Sequence, residues 1–302
     1  MTTALLHVLL AFALPPLLPG VIAKTKAAFA GRVGPPLLQR YYDLAKLVRK
    51  GSVFSRTTTW VFRAGPVVGL ATTALAALLV PLGAQPSPIA FAGDLLLFAY
   101  LLALGRFFTV VAALDTGSAF EGMGAAREAT YACLAEPALF LAFLALVRIS
   151  GAYSLSEMFG TALAHAWTTS AASLLLVVAS LFVVLLAETC RVPFDDPNTH
   201  LELTMIHEVM VLDHSGPALG MIEYAAAMKL LVLGAPIVRL VLPVATGDPN
   251  ADRAIAAGGL IGISVAIGIV ESVMARLRLT QVPSLLVAAC LLAAFGIVLL
   301  AG

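Results

Sequence analysis

The sequence repeatedly carries apolar stretches of about 20 residues, and this pattern limits the possible folds more than any other feature. A hydrocarbon layer about 30 Å thick needs about that many apolar residues to be crossed by one helix. Only 12% of the residues are charged, whereas a soluble domain carries about 25%. We therefore predict an all-α polytopic membrane protein, with about eight transmembrane helices in one transmembrane domain over residues 1–302. The expected spans are Ala4–Ala23, Gly65–Ala84, Asp94–Leu114, Tyr131–Ser150, Ala171–Ala187, Ala218–Leu240, Ala254–Ala275 and Val282–Ala301.

The basic residues are concentrated in one connection between these spans. Half of the 18 Lys and Arg residues lie within 24–64, and the connections 81–93 and 151–170 contain none. Because cytoplasmic loops carry the excess of Lys and Arg, the first loop is expected in the cytoplasm. Both termini then lie outside, in a multi-pass protein of the cytoplasmic (inner) membrane. The remaining cytoplasmic connections are 115–130, 188–217 and 276–281.

The first loop also contains an apolar stripe at helical spacing, which predicts one cytoplasmic amphipathic helix. A helix of this kind either lies in the headgroup layer of the bilayer or docks onto a partner protein, and the sequence leaves both open. The stripe consists of Leu37, Tyr41, Leu44 and Val48.

Residues 188–217 form a second unusual segment, because six carboxylates and three histidines fall within 27 residues of a chain that has few charges elsewhere. Glu188 and Arg191 are one helical turn apart, so we expect them to pair where the fifth span ends. Pro193 and Pro197 should end that helix. A new helix is expected after them, on which His200, Thr204, His207 and Val211 share a face.

Three functions are compatible with this acidic segment. His207-Glu208 begins like the zinc-protease motif H-E-x-x-H, but position 211 is Val211, so no metal site is predicted. A purely structural set of charge pairs and helix caps is the second interpretation. The third is proton handling, because burial and like-charge neighbours bring carboxylates and imidazoles toward protonation equilibria near neutral pH. We favour proton handling.

Further charges lie inside the expected spans, where an unpaired ion costs several kcal/mol. Glu223 and Lys229 are six residues apart, so each must find a partner on another helix. Arg106, Glu136 and Glu271 must likewise face protein or water. Several such residues in one chain favour a shared polar route over isolated structural pairs.

Four other features count against particular classes of function. Cys133, Cys190 and Cys290 are far apart in sequence, so the chain alone does not hold an iron–sulfur cluster. The near balance of 18 basic and 17 acidic residues gives no basic face for nucleic acid. The two halves show no clear symmetry of the kind that secondary transporters carry. The glycine-containing stretch 115–128 lacks the spacing of a nucleotide-binding loop, and its interpretation as a cytoplasmic loop with helix caps stays open.

Three stretches, 31–47, 115–137 and 188–216, together resemble the membrane subunit of energy-converting group 4 nickel–iron hydrogenases, such as formate hydrogenlyase. That family is related to the proximal membrane subunit of respiratory complex I. The most specific stretch is 196–208, DPNTHLELTMIHE, which is more similar to the hydrogenase branch than to complex I.

The resemblance implies a membrane-anchoring subunit that passes protons or ions. The nickel–iron centre and the iron–sulfur clusters are then expected in partner subunits. Those partners are the hydrogenase large and small subunits, a ferredoxin-like iron–sulfur subunit and antiporter-like membrane subunits. The relay residues that the resemblance implies are Asp115, Glu121, Arg127, Glu128, Glu136, Glu188, Arg191, Asp195, Asp196, His200, Glu202, His207, Glu208, Asp213, Glu223 and Lys229. Arg32, Asp43 and Lys46 are expected to dock the peripheral arm. The nearest alternative is the quinone-chamber subunit of a complex I-like NADH–quinone oxidoreductase.

Overall fold

A computed structural model of the protein describes residues 2–195 and 205–300, and every regular element in these residues is helical. The first helices are α1 (Thr2–Ala13), α2 (Leu17–Phe29), α3 (Gln39–Arg49), α4 (Trp60–Leu79), α5 (Asp94–Asp115) and α6 (Ala119–Ser150). They are followed by α7 (Leu155–Met158), α8 (Thr161–Thr169), α9 (Ala171–Glu188), α10 (His207–Met210), α11 (Gly216–Val241), α12 (Pro249–Val273) and α13 (Val282–Leu299).

In this described part of the chain, seven helices are long and apolar enough to cross a membrane, which confirms the all-α polytopic class. They are α4, α5, α6, α9, α11, α12 and α13. The bent pair α1–α2 is an eighth span if its two halves count as one.

The predicted span Ala4–Ala23 is divided between two helices, because the chain bends by 45° between α1 and α2. Pro15 and Pro16 lie at the bend, and a proline has no N–H to donate to the carbonyl four residues earlier. The structure supplies other donors. The Tyr224 hydroxyl donates to the carbonyl of Phe12 at 2.6 Å, and the Tyr41 hydroxyl donates to that of Ala13. Both tyrosines thereby tie their own helices, α11 and α3, to the bend.

Most of the predicted connection 115–130 is helical, since α6 begins at Ala119, twelve residues before the expected span. Gly124 allows this extension to pack closely. A Cβ atom at Gly124 would lie 2.3 Å from Cγ1 of Val209 and 2.8 Å from the carbonyl oxygen of Ile206. The glycine therefore serves helix packing against α10 rather than a turn.

The amphipathic helix of the first loop is present as α3, but its packed face is rotated relative to the prediction. Leu44 and Leu47 are half-buried, whereas Val48, which was expected in the stripe, is 67% exposed. Leu47 packs against Gly220 of α11, where an added Cβ would lie 3.3 Å from its own Cβ. Because Gly220 has no side chain, Leu47 can pack against α11, and this contact determines which face of α3 is packed.

Small residues also bring α4 and α5 close together. A Cβ at Gly65 would lie 2.8 Å from that of Ala112, and one at Gly105 would lie 2.7 Å from the Thr72 hydroxyl. Close approach at small residues is the usual basis of helix association in membranes. It places Arg106, which follows Gly105, inside the helix bundle instead of in lipid.

We expect Tyr224→Phe to lower the free energy of unfolding by about 1 kcal/mol, because the Phe12 carbonyl loses its donor inside an apolar environment. Thermal unfolding of the purified protein in detergent measures the loss. Tyr100→Phe is the control, since Tyr100 is 72% exposed. Equal melting temperatures for the Tyr224 variant and the wild type would show that the bend does not depend on this donor.

Candidate functional site

Arg106 of α5 is the centre of a buried cluster of charges. Its guanidinium contacts Glu188 of α9 at 2.5 Å, Glu128 of α6 at 3.4 Å, and Glu136 of α6. The Arg106 side chain is only 9% exposed. Arginine suits this position because its planar guanidinium carries five donors and serves several carboxylates at once.

Glu188 extends the cluster to a further helix. Its second oxygen lies 2.7 Å from the Lys229 ammonium on α11, so Glu188 bridges two cations. We call Arg106, Glu128, Glu136, Glu188 and Lys229 the charge cluster. It joins four helices and holds three carboxylates against two cations.

The expectation that Glu223 and Lys229 find partners on different helices is confirmed. Glu223 pairs with Arg40 of α3 at 3.1 Å, and Lys229 pairs with Glu188. The predicted pair between Glu188 and Arg191 is wrong. The chain turns after Glu188, and Arg191 lies 3.5 Å from Glu271 of α12 instead.

Glu271 of α12 is the centre of a second buried set of charges. Its side chain is fully buried and lies 2.7 Å from the ammonium of Lys26, on α2. Arg191 and Lys26 thus hold one carboxylate between two cations. These three side chains carry a net positive charge, whereas the charge cluster carries a net negative charge.

A cavity of about 100 Å³ lies against the charge cluster. Arg106, Glu128, Glu188 and Lys229 line it, together with polar groups from α4, α5 and α10. Its volume admits a few water molecules at about 30 Å³ each, and its walls offer them hydrogen-bond partners. The additional polar groups are Thr73, Thr109, Thr189 and His207.

A wider groove of about 360 Å³ adjoins this cavity and shares Thr189 and Ala226 with it. Residues of the α1–α2 bend, α3 and α11 line the groove, including Arg40, Asp43 and Glu223. Glu223 therefore faces the groove instead of the charge cluster. The sequence placed Glu128, Glu188, Lys229 and Glu223 in one relay, whereas the structure divides them between the cavity and the groove.

Asp195 is buried and lies directly before residues 196–204. One carboxylate oxygen accepts from the backbone N–H of Ile206 at 2.9 Å and from that of His207 at 3.2 Å. The other lies 2.9 Å from the guanidinium of Arg276. The buried carboxylate thus joins the chain before residues 196–204 to the chain after them. Asp196, His200 and Glu202, all predicted relay residues, lie outside the described residues.

The predicted helix carrying His200, Thr204, His207 and Val211 is not continuous. Met205 and Ile206 are not helical, and α10 contains only His207–Met210. Glu208 on this single turn is half-buried, and burial raises its pKa. The Asp195 carboxylate accepts from the N–H groups of Ile206 and His207, and so caps the turn at the point where α10 begins.

Three other predicted relay residues, together with the backbone N–H of a fourth, Asp213, hold the connections on this side of the molecule. Arg127 donates to the carbonyl of Met205 at 2.8 Å. Glu121 accepts from the N–H of Asp213 at 3.3 Å. Asp115 accepts from Thr59 N–H at 2.7 Å and from Phe62 N–H at 3.2 Å, and so caps α4. These contacts position the ends of α4, α6 and α11 around the cavity.

The three residues expected to dock a peripheral arm lie in the first loop and on α3. Arg32 and Lys46 are exposed, and Asp43 is half-buried and accepts from the Gln39 side chain at 2.9 Å. The charged groups of Arg32 and Lys46 are therefore accessible from outside the chain. In residues 2–195 and 205–300, no three His, Cys, Asp or Glu side chains are grouped to hold a metal ion.

Comparison with known proteins shows the family of this chain. The family described as NADH dehydrogenase matches residues 1–302. The chain belongs to this family. Formate hydrogenlyase subunit 4 of Escherichia coli (strain K12) is 32% identical over 291 residues, 92% of this chain and 92% of the relative. Hydrogenase-4 component C of the same organism is 34% identical over 240 residues, 80% of this chain and 75% of the relative.

More distant members include a subunit of the NADH-quinone oxidoreductase of Rubrobacter xylanophilus, 27% identical over 206 residues, 68% of this chain and 61% of the relative. One solved structure, of the membrane-bound sulfane sulfur reductase, an archaeal respiratory membrane complex, matches with a TM-score of 0.84. That match covers 98% of both chains at 24% identity, which shows the shared fold. The resemblance predicted from the sequence, to hydrogenase membrane subunits related to complex I, is confirmed.

Some residues that complete the site were not among the predicted site residues. Arg106 and Glu271 were recognised only as charges at membrane depth, and Lys26 and Arg276 only as basic residues of cytoplasmic connections. The sequence carries a usable indication for the first two, because an ion within an apolar span requires a partner on another helix. The sequence does not indicate which residue is the partner, because the pairs join residues that are far apart in sequence, such as Lys26 and Glu271.

We expect Arg106→Met to lower the free energy of unfolding by about 3–5 kcal/mol, because it leaves carboxylates buried without their cation. Thermal unfolding in detergent measures this loss. Arg148→Met is the matched control, since Arg148 lies exposed on α6. A loss no greater than that of the control would show that the charge cluster does not stabilise the bundle.

A pH-dependent stability is expected from His214, which lies between α10 and α11 and stacks on Phe62 with 3.9 Å between ring centroids. Burial lowers its pKa from 6.5 to about 4. The unfolded chain therefore takes up this proton first, so stability is full above pH 6.5 and falls as the pH decreases toward 4.

His214→Phe keeps the stacked ring and removes the titration, so its melting temperature should change less between pH 7 and pH 5 than that of the wild type. The exposed His165 supplies the control, His165→Phe, which should retain the wild-type slope. Parallel pH profiles for the His214 variant and the wild type would contradict the assignment.

Proposed function

We propose that this chain is the membrane-anchoring and proton- or ion-relay subunit of a multisubunit membrane-bound nickel–iron hydrogenase complex. Membership in a family of oxidoreductase subunits supports this role, as does the similarity to subunits of formate hydrogenlyase and hydrogenase-4. The nickel–iron centre and the iron–sulfur clusters reside in partner subunits, and the chain itself is not the catalytic subunit. It lies in the cytoplasmic membrane with both termini outside.

The unequal charge of the charge cluster carries the proposal. Three carboxylates, Glu128, Glu136 and Glu188, meet only two cations, Arg106 and Lys229. A net negative charge among packed helices is costly, so the cluster favours one bound proton or cation over full ionisation. A group of side chains that shares one proton among several carboxylates can accept it on one side and release it on another.

The shape of the cluster supports a direction for this transfer. Glu188 is 6% exposed and borders the water-sized cavity on the side of α10, while Glu136 is 41% exposed on the outer surface of α6. Glu136 is paired with Arg106, and the exposed part of its side chain leaves room for a further polar partner beyond this chain. We assign that position to an antiporter-like membrane subunit, with the proton passing from the cavity through Glu188 and Glu136.

The opposite end of the route adjoins the segment that closes on Asp195. His207 lines the cavity, and Glu208 follows it on the same turn. A redox change in a peripheral arm docked at Arg32, Asp43 and Lys46 would alter the electrostatic potential at this segment. One elementary charge moved through 100 mV is worth about 2.3 kcal/mol, enough to shift a protonation equilibrium more than tenfold.

The test uses inside-out membrane vesicles that contain the whole complex, with hydrogen evolution and acidification of the lumen measured together. We expect Glu188→Gln to reduce the number of ions moved per hydrogen formed by about tenfold or more, because an amide cannot exchange the proton. Glu136→Gln should act in the same direction and lies at a more exposed position, so its effect on folding is smaller.

Glu157→Gln is the matched control, because Glu157 is an exposed carboxylate of α7, outside the charge cluster. Retention of the partner subunits in the purified variants separates a relay defect from failed assembly. An unchanged ratio of ions to hydrogen in both variants of fully assembled complexes would refute the relay. Loss of turnover on addition of quinone-site inhibitors would favour the quinone-chamber alternative.

A further inference from the structure

We infer that Glu121, in the first turn of α6, binds a proton and supplies it to the cavity of the charge cluster, and that Met210 of α10 separates the two. The inference rests on the relay proposed above and adds to it a site where protons enter. Three observations carry it: a buried carboxyl without a cation, an exposed carboxylate beside that carboxyl, and an apolar barrier between the carboxyl and the cavity.

Glu121 is a buried carboxyl that has no counter-ion. Only 2% of its surface is exposed. One of its oxygens accepts from the N–H of Asp213 at 3.3 Å, and the other is buried with no hydrogen-bond partner among the described residues. In residues 2–195 and 205–300, no Lys, Arg or His side chain pairs with Glu121. Ionisation here removes hydration without adding a cation, so the neutral, protonated carboxyl is favoured.

The helix that carries Glu121 acts against this preference. Glu121 lies three residues after the N-cap Ser118, where the positive end of the helix dipole favours an anion. This end is equivalent to only roughly half an elementary charge, and it is shared among several N–H groups. A full counter-ion such as Arg106 provides for Glu188 is absent at Glu121. The dipole therefore offsets only part of the cost of burying the anion.

The titratable groups on the neighbouring connections do not supply the missing cation either. The negative charge of Asp213 disfavours a second negative charge on Glu121. His214, the next residue, is stacked on the ring of Phe62. Asp115, at the end of α5, accepts from the N–H groups of Thr59 and Phe62. The like charge of Asp213 thus adds to the effect of burial and favours a bound proton.

Asp213 also connects Glu121 to water. Asp213 is exposed, whereas its backbone N–H already contacts the buried carboxyl. An exposed carboxylate exchanges protons with bulk water and raises the local concentration of cations. Two residues later, the Ser215 hydroxyl accepts from the N–H of Val53 at 3.1 Å, so this connection lies on the side of the first loop. Glu121 is therefore loaded from the side that is proposed to face the cytoplasm.

The arrangement of carboxyls along α6 points from this site to the cavity. Glu121 and Glu128 are seven residues apart, which places them on one face of the helix, about 10 Å apart along its axis. Glu128 lines the cavity and pairs with Arg106 at 3.4 Å. One face of α6 thus carries a carboxyl outside the cavity and another on its wall.

Met210 fills the space between these two carboxyls. Gly124 lies between them on α6, and a Cβ atom there would lie 3.0 Å from Cγ of Met210. Met210 is 1% exposed, packs with Ala125 and lines the cavity. An apolar constriction of this kind interrupts a chain of water molecules. Because methionine is unbranched and has several rotatable bonds, its side chain moves aside at a small cost and suits a gate.

The transfer requires only protons and water. A proton from the cytoplasmic water binds to ionised Glu121 and forms an O–H bond. When Met210 moves aside, that bond breaks, and the proton passes through water in the cavity to Glu188. Glu121 then takes up the next proton through the water at Asp213. No electron moves in this step, so no oxidant or reductant is needed.

The first experiment detects the bound proton directly. Infrared spectra of the purified whole complex at pH 7, in H2O and in D2O, report the C=O stretch of neutral carboxyl groups. We expect this band to be weaker in Glu121→Gln than in the wild type and unchanged in Glu157→Gln, since Glu157 is exposed. The amide still offers an oxygen to the N–H of Asp213, so the fold is retained. An equal band in Glu121→Gln and the wild type would overturn the assignment.

The second experiment tests whether this proton supplies the relay, in inside-out vesicles that contain the whole complex. We expect Glu121→Gln to lower the number of ions moved per hydrogen formed by about tenfold, because the amide cannot carry the proton. A wild-type ratio in Glu121→Gln beside a lowered ratio in Glu188→Gln would overturn the inference and leave the relay proposal standing. Wild-type ratios in both variants would overturn both.

The third experiment tests the barrier in resting vesicles, on which a pH gradient is imposed without turnover. We expect Met210→Ala to dissipate the gradient about tenfold faster than the wild type, because water then joins Glu121 to the cavity. Met210→Leu, which nearly conserves the volume, should hold the gradient and shows that the position tolerates substitution. Met274→Ala is the matched control, since Met274 is 46% exposed.

A double variant separates this route from a general leak. Met210→Ala/Glu121→Gln should hold the gradient as the wild type does, because the opened gap then lacks the carboxyl that carries the proton. A leak that persists in the double variant, or a Met210→Ala variant as tight as the wild type, would overturn the role of Met210 as a barrier before Glu121.

Discussion

The cost of placing ions among apolar helices governs how this molecule is built. Each charge at membrane depth has to meet an opposite charge, and helical spacing prevents most of them from finding one on the same helix. The chain solves this through Arg106, whose single guanidinium joins α5 to α6 and α9, and through Glu188, which continues the contact to α11. These pairs add directional contacts to the van der Waals packing that otherwise holds membrane helices together.

The same constraint explains why the polar residues occupy separate compartments. A carboxylate lies wherever a cation from another helix reaches it, so Glu188 joins Lys229, while Glu223, six residues earlier than Lys229 on α11, turns toward Arg40. Glu271 is held on another side by Lys26 and Arg191. The charge cluster has an excess of carboxylates, and the neighbouring groove has an excess of basic groups.

Backbone constraints are coupled to this electrostatic plan. Pro15 and Pro16 interrupt the first span, and the nearby carbonyls of Ala13 and Phe12 accept from Tyr41 and Tyr224. The bend thus holds α3 against the bundle and lines part of the groove. Gly124 and Gly220 perform the complementary task, because the absence of a side chain lets α10 and α3 approach their neighbours. A proline break and two glycines therefore shape the surroundings of the site.

Sequence alone determined the membrane class, most of the span positions, the family and the need for interhelical partners. Apolar length, the sparsity of charge and the 196–208 motif are local properties of the chain. Local patterns also predicted a helix in the first loop, but they selected the wrong packed face, and they interpreted 115–130 as a connection where α6 already runs. Tertiary structure alone decided that Arg106 serves three carboxylates, that Arg191 turns to Glu271 and that Asp195 binds the chain on both sides of residues 196–204. These choices depend on which helices pack together, and that packing is a property of the whole bundle, in which partners distant in sequence meet through small residues and a proline bend.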